Sequence, residues 1–212
     1  MPKPTRAIAP PAPPLIPARW HGGDQTPALS VIHSTVSRCA PGGARATARY
    51  FQTVDRPASA HYVRDPDELI QCVGDHTVAY HCGYNEDSLG WEMTDIPGPV
   101  PDDKPGTARW KALRRSWRWA RPEQKRMLAG LAEDVARAHL AYGIPIRYLD
   151  VAGVRRWDAR GRRPADGGIT THAVMSAAFK RSTHWDPGWW PRRQFIRLAR
   201  KAATRIQHEV RP

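Results

Sequence analysis

The chain has 212 residues, with 33 Lys+Arg against 20 Asp+Glu and a formal net charge of +13. A composition of 41% hydrophobic and 25% charged residues excludes wholesale disorder, and the length suits one domain with a real core. No run approaches the ~20 apolar residues that cross a membrane, and the three cysteines, Cys39, Cys72 and Cys82, cannot all pair with one another, which argues for a reducing compartment over a disulfide scaffold.

Residues 1–19 are rich in proline and lack periodicity, so they read as an extended Pro-rich N-terminal arm, with order beginning near Trp20. The prolines also break any apolar core of a signal peptide. Ala28–His33 is a short apolar run that suits a buried strand, and Ala44–Gln52 suits a short helix after Gly42-Gly43. Ala58–Val63 and Glu68–Val73 read as two strands around the Asp65-Pro66-Asp67 turn, and Ser88–Thr94 as another strand that contains Glu92. Ile96–Gly106 reads as a loop.

The basic insert 107–121 is dense in Trp and Arg and reads best as an amphipathic helix, with a nucleic-acid platform as the competing reading. Pro122 then opens a helix with Met127, Leu131, Val135, Ala138 and Tyr142 on one face, closed by Gly143. Tyr148–Gly168 is expected to be loop, and Gly168–His172 a last strand. A basic C-terminal helix (191–209) places Phe195, Leu198, Ala199, Ala202 and Ile206 on one face and Arg/Lys on the other. The fold expected is a single α/β domain over 20–212, with a central mixed β-sheet flanked by helices.

Charge is unevenly placed. Residues 1–106 hold nine basic and twelve acidic residues, net −3; residues 107–212 hold 24 and 8, net +16. Such a field favours an anionic partner.

Among nine histidines, His33 and His172 end predicted strands, and His184 lies two residues before Asp186. Imidazoles at strand ends project into a cleft at the sheet edge. Two His and one carboxylate leave a fourth position open, as in catalytic zinc sites. In an extended segment His184 and Asp186 face the same side, so spacing leaves open which of them would bind metal. Cys82 beside His81 raises a thiol nucleophile, but strand neighbours point to opposite faces, and Cys72 and Cys82 fit better as small buried hydrophobes.

Six motifs stand in order: VIHST at 31–35, SAHY at 59–62, AYHCGYN at 79–85, LGWEM at 89–93, ITTH at 169–172 and THWDPG at 183–188. Together they resemble the zinc N-acetylmuramoyl-L-alanine amidases of the type-2 amidase and peptidoglycan-recognition-protein fold, and the chain is similar to endolysins of actinobacterial (mycobacteriophage-type) phages. The resemblance covers about residues 20–205. It implies one Zn2+ held by His33, His172 and Asp186, with Glu92 as general base and His184 stabilising the transition state. His81 and Asn85 are implied to line the substrate groove. The bond cut would join the lactyl group of N-acetylmuramic acid to L-alanine in bacterial peptidoglycan.

Some members carry a Tyr where this chain has Ala60, which leaves more of the proton work to Glu92. The reading of Cys39 stays open, and the 107–121 insert and 148–168 loop lie outside the minimal family core. A monomer made in a host cytoplasm without a signal peptide is expected, and with the resemblance this implies that it reaches the wall through a pore such as a holin. The basic half then reads as a surface for anionic cell-wall polymers rather than a specific nucleic-acid site. Two alternatives are a non-catalytic peptidoglycan-binding module of the same fold and a basic nucleic-acid-binding protein.

Overall fold

The computed structural model describes residues 12–35, 37, 39–94, 121–184, 186–187 and 190–209. Its core is a five-stranded sheet built from β2 (Leu29–Ser34), β3 (Tyr62–Arg64), β4 (Leu69–Gln71), β6 (Ser88–Met93) and β7 (Gly168–Thr171), in the order β4-β3-β6-β2-β7. Strands β3, β6, β2 and β7 are parallel, and β4 closes one edge antiparallel to β3. A small antiparallel ribbon pairs β1 (His21–Asp24) with β5 (Thr77–Ala79). This is the mixed α/β single domain that the sequence patterning implies.

Parallel strands are covered on both faces, which explains why all six residues of β2 are buried. On one face, Ile32, Leu89, Trp91 and Met93 pack under α2 (Pro122–Tyr142) and α5 (Arg192–Glu209). On the other, Leu29 and Val31 pack under α3 (Val151–Ala159) and α4 (His172–Phe179). Beside them α1 (Gly43–Thr53) lies over Val63 and Ile70.

Local chemistry sets the helix ends. Asp65, fully buried, accepts from the Ala44 N–H at 3.0 Å at the start of α1. Pro122 stands at the first turn of α2, and Gly143 ends it at φ +67°, a left-handed conformation that glycine adopts without strain. The inward face of α2 includes the expected Met127, Leu131 and Val135; on α5 it is Phe195, Ala199, Ala203 and Ile206. Leu198 and Ala202 are only partly buried.

Three expectations change. The segment 148–168, expected as loop, contains α3 and a short 3-10 turn at Pro164–Asp166. The Asp150 side chain accepts from Gly153 N–H at 2.8 Å as an N-cap, and Val154 and Trp157, three residues apart, are buried. That periodicity is hidden by the intervening arginines. A helix, α4, also follows β7 directly, its start capped by Thr171. Finally, the arm does not run free to Trp20. Ile16 N–H donates to Gln71 O, Ala18 N–H to Cys72 O and Gln71 N–H to Pro14 O, so Pro14–Ala18 covers the open edge of β4. Residues 1–11, the 96–106 loop and 107–120 of the insert lie outside the described residues.

Candidate active site

The site forms at the carboxyl ends of the central parallel strands, where ligands bind in open α/β sheets, rather than at a lateral edge of the sheet. His33 lies near the end of β2 and is the register partner of Glu92 on β6, so both side chains leave the same face. His172 is the first residue of α4, placed there because β7 runs beside β2. Asp186 arrives from the turn after α4, and its carbonyl accepts from Ala173 N–H. These elements floor a groove of about 1020 Å³, whose rim includes Tyr50, Arg56, Tyr80 and Arg181.

His33, His172 and Asp186 converge so closely that one ligand atom from each lies within 4.8 Å of the others. His33 Nδ1 is 3.3 Å from Asp186 Oδ2, and His172 Nδ1 is 3.0 Å from Asp186 Oδ1. Ser34 N–H also donates to Asp186 Oδ2 at 3.3 Å. Burial by itself would raise the Asp186 carboxyl. Close contact with the imidazoles of His172 and His33 overrides it and holds the carboxyl well below the usual range. Burial lowers His33. Two buried imidazoles and an ionised carboxylate are the donor set of a divalent transition-metal site with an open position, and zinc fits their number and type.

Glu92 lines the same groove, and its Oε2 is buried without a hydrogen-bond partner. Burial, then the neighbouring Asp186 charge, raises its carboxyl well above the ordinary value. His184 stacks on His172 with ring centroids 4.8 Å apart, and its Nδ1 is 3.9 Å from Asp186 Oδ1. Unlike the trio, its side chain is 69% exposed and open to a ligand in the groove.

His81 and Asn85 both border the groove, but most of their polar atoms are engaged within the protein. Asn85 Oδ1 accepts from the N–H groups of His81 (2.9 Å) and Cys82 (2.8 Å), which shapes the loop after β5. The His81 ring is buried between His33 and Ser88. Cys82 points away into the apolar layer below α3 and α4, where burial pushes its thiol up to about 12; burial does the same to Cys72. Cys39 is buried against Met127, with 3.9 Å between the sulfurs.

Sequence reasoning missed His61, Ser88 and Gly90 as parts of this site. His61 of SAHY is fully buried, its Nδ1 accepting from Gly90 N–H at 3.0 Å. Gly90 was the available signal, because glycine inside a strand marks a close approach. A Cβ there would stand 2.6 Å from Cγ of His81.

Residues 23–189 match the family model described as N-acetylmuramoyl-L-alanine amidase. The chain belongs to that family. It is therefore an amidase, and the fold agrees with that membership. The hydrolase AmiA of Staphylococcus aureus, solved with its ligand, is 16% identical, with a TM-score of 0.62 over 97% of this chain and 89% of that one. A point mutant of PlyL is 14% identical, with a TM-score of 0.54 over 89% and 98%. A mutant endolysin from Bacillus subtilis is 15% identical, with a TM-score of 0.51 over 91% and 96%. No curated protein sequence matches the chain.

Proposed function

We propose that this amidase is a zinc-dependent peptidoglycan hydrolase that cleaves the amide bond between N-acetylmuramic acid and L-alanine, acting as a phage endolysin in host lysis. The observation that carries the reading is the buried, unpartnered Glu92 carboxylate oxygen in the same groove as the His33/His172/Asp186 trio. Its support is the family, whose name states that bond, and the endolysin that shares the fold.

His33, His172 and Asp186 would hold the ion through Nδ1, Nδ1 and a carboxylate oxygen. A zinc ion there supplies Lewis acidity, which acidifies water and polarises a carbonyl. Glu92 takes the proton of the attacking water on its free Oε2, an atom with no competing partner. Its raised pKa makes it a strong enough base to accept that proton and an acid able to return it to the departing L-alanine amine. His184, exposed in the groove above the trio, donates to the oxygen that becomes negative, an effect worth about 3 kcal/mol for one well-aimed donor. Ala60 is fully buried, so no tyrosine shares this work at that position.

We read 20–212 as the catalytic domain and its basic helix α5 as a contact for anionic wall polymers. On α5, Arg193, Arg197 and Lys201 follow one another at i, i+4, i+8 spacing along a single face. Like charges so placed cost the helix a few tenths of a kcal/mol each, about 0.2–0.5. Among the described residues none of the three has an acidic partner, in contrast to Arg205, which pairs with Glu133 at 2.7 Å.

Turbidity of purified cell walls tests the reading, for wild type and Glu92→Gln, with and without chelator. Clearing by the zinc-loaded wild type alone is expected. Walls left intact by the wild type would favour a non-catalytic binding module, and clearing that survives both changes would overturn the mechanism.

A further inference from the structure

His81 stands directly behind His33, on the side away from Asp186. Its Nδ1 is 3.0 Å from His33 Nε2, and its Nε2 is 3.0 Å from Ser88 Oγ. Ser88 Oγ in turn donates to the carbonyl of Asn85 at 2.7 Å. All three side chains are buried, with exposures of 2% for His33, 9% for His81 and 0% for Ser88.

The protons along this chain can be placed by elimination. A carbonyl only accepts, so the single Ser88 hydroxyl proton goes to Asn85 O. Ser88 Oγ must then accept from His81, which puts the His81 proton on Nε2. A neutral imidazole, the form suited to a buried ring without an acidic partner, then has a bare Nδ1. That Nδ1 accepts from His33, so the His33 proton sits on Nε2. The remaining nitrogen, His33 Nδ1, is bare and faces Asp186 Oδ2 across 3.3 Å. A lone pair facing a carboxylate calls for a cation between them.

We propose that His81 is a positioning residue: it accepts the Nε2 proton of His33 and so holds that ring in the tautomer whose Nδ1 is free to bind the metal, with Ser88 fixing His81 in turn. The inference rests on the zinc reading above, and it gives His81 a role behind the ligand instead of against the substrate. Gly90 belongs to the same device, because any side chain there would occupy the place of the His81 ring. Partners that orient a metal-bound imidazole through its second nitrogen commonly change metal affinity by about tenfold to a hundredfold.

The test measures zinc affinity by competition with a chromophoric chelator, on the full chain, for wild type, His81→Leu, His81→Asn and Ser88→Ala. The His33 tautomer is read in parallel from ring 15N shifts of the zinc-free proteins. His81→Leu should bind zinc about 10- to 100-fold more weakly and show mixed His33 tautomers. Ser88→Ala should lose severalfold, and His81→Asn, which keeps an acceptor oxygen near the Nδ1 position, should recover most of the affinity. Thermal unfolding of each zinc-free variant identifies any that fails to fold, in which case Ser88→Ala, the mildest change, decides the matter by its tautomer spectrum. Wild-type affinity and an unchanged His33 tautomer in His81→Leu, or in Ser88→Ala where it decides, would overturn the proposal alone. No zinc binding by the wild type would remove the metal reading beneath it, while the tautomer spectra would still report whether His81 orders the ring.

Discussion

On strand β2, Ile32 enters the apolar layer under α2 and α5, while its neighbour His33 faces the groove. Strand β6 repeats the arrangement in register, with Trp91 and Met93 on the helix side and Glu92 on the groove side. One face of the sheet is thus a largely apolar layer, in which the buried His139 pairs with Ser30, and the other carries the site's imidazoles and carboxylates at its carboxyl end. The first face supplies stability, and the second gives some of it up. A rigid strand anchored by Ile32 and Trp91 holds His33 and Glu92 side by side, although a buried carboxylate oxygen without a partner is costly.

Substitutions can separate the two faces. The largest effect is expected from Glu92→Gln, which should lower turnover of a soluble muropeptide by about 10²–10⁴ while the fold persists. Because the Glu92 carboxyl is raised in the folded protein, its ionised form is disfavoured by folding, so losing the charge should not destabilise the protein at neutral pH. A drop in both activity and unfolding temperature would blur the comparison. On the opposite face, Phe195→Ala should cost about 3–5 kcal/mol in urea unfolding, with zinc stoichiometry unchanged in the protein that remains folded.

His172→Ala should lose the bound zinc by metal analysis, and full occupancy would refute the ligand assignment. A pH effect comes from two other buried histidines. Burial lowers His61 and His139 to about 4 in the folded protein, against an ordinary value of 6.5. Their neutral forms therefore contribute stability that is fully present above pH 6.5 and is lost as pH falls from 6.5 toward 4. The loss is on the order of 3 kcal/mol each at most. Urea unfolding at about pH 7.5 and about pH 5 measures it, and a His139→Gln variant should show a shallower pH dependence than the wild type.

The smallest expected effect lies outside both faces. Replacing Arg193, Arg197 and Lys201 with Gln should weaken wall binding severalfold at low salt and leave cleavage of a small soluble muropeptide unchanged. Equal loss on both substrates would tie α5 to the groove instead.

Much of this molecule is written locally. The period of Met127, Leu131 and Val135, the Pro122 start and the Gly143 stop are enough to place α2, and the apolar run before His33 places β2. Helix α3 was not legible because its buried Val154 and Trp157 are separated by arginines that point outward. Strands β1 and β5 were missed because each is short and gains its meaning only by pairing with the other. The motifs named His33, His172, His184, Asp186 and Glu92, but spacing left open whether His184 or Asp186 takes the metal place. In the fold, Asp186 contacts both imidazoles and His184 lies exposed above them.

Read locally, the chain yields residue types and periods: which strands are buried, where helices start and, through the resemblance of its motifs, which His, Asp and Glu residues are candidates for one site. Which atoms meet depends on the packed fold. His33 and His172 lie far apart in the chain, and they become neighbours because β2 and β7 pair in parallel register. The chain of protons from His33 through His81 to Ser88 likewise depends on three backbone segments arriving within hydrogen-bond distance. No local pattern encodes that distance, because long-range contacts are set by the packing of the whole sheet and its helices.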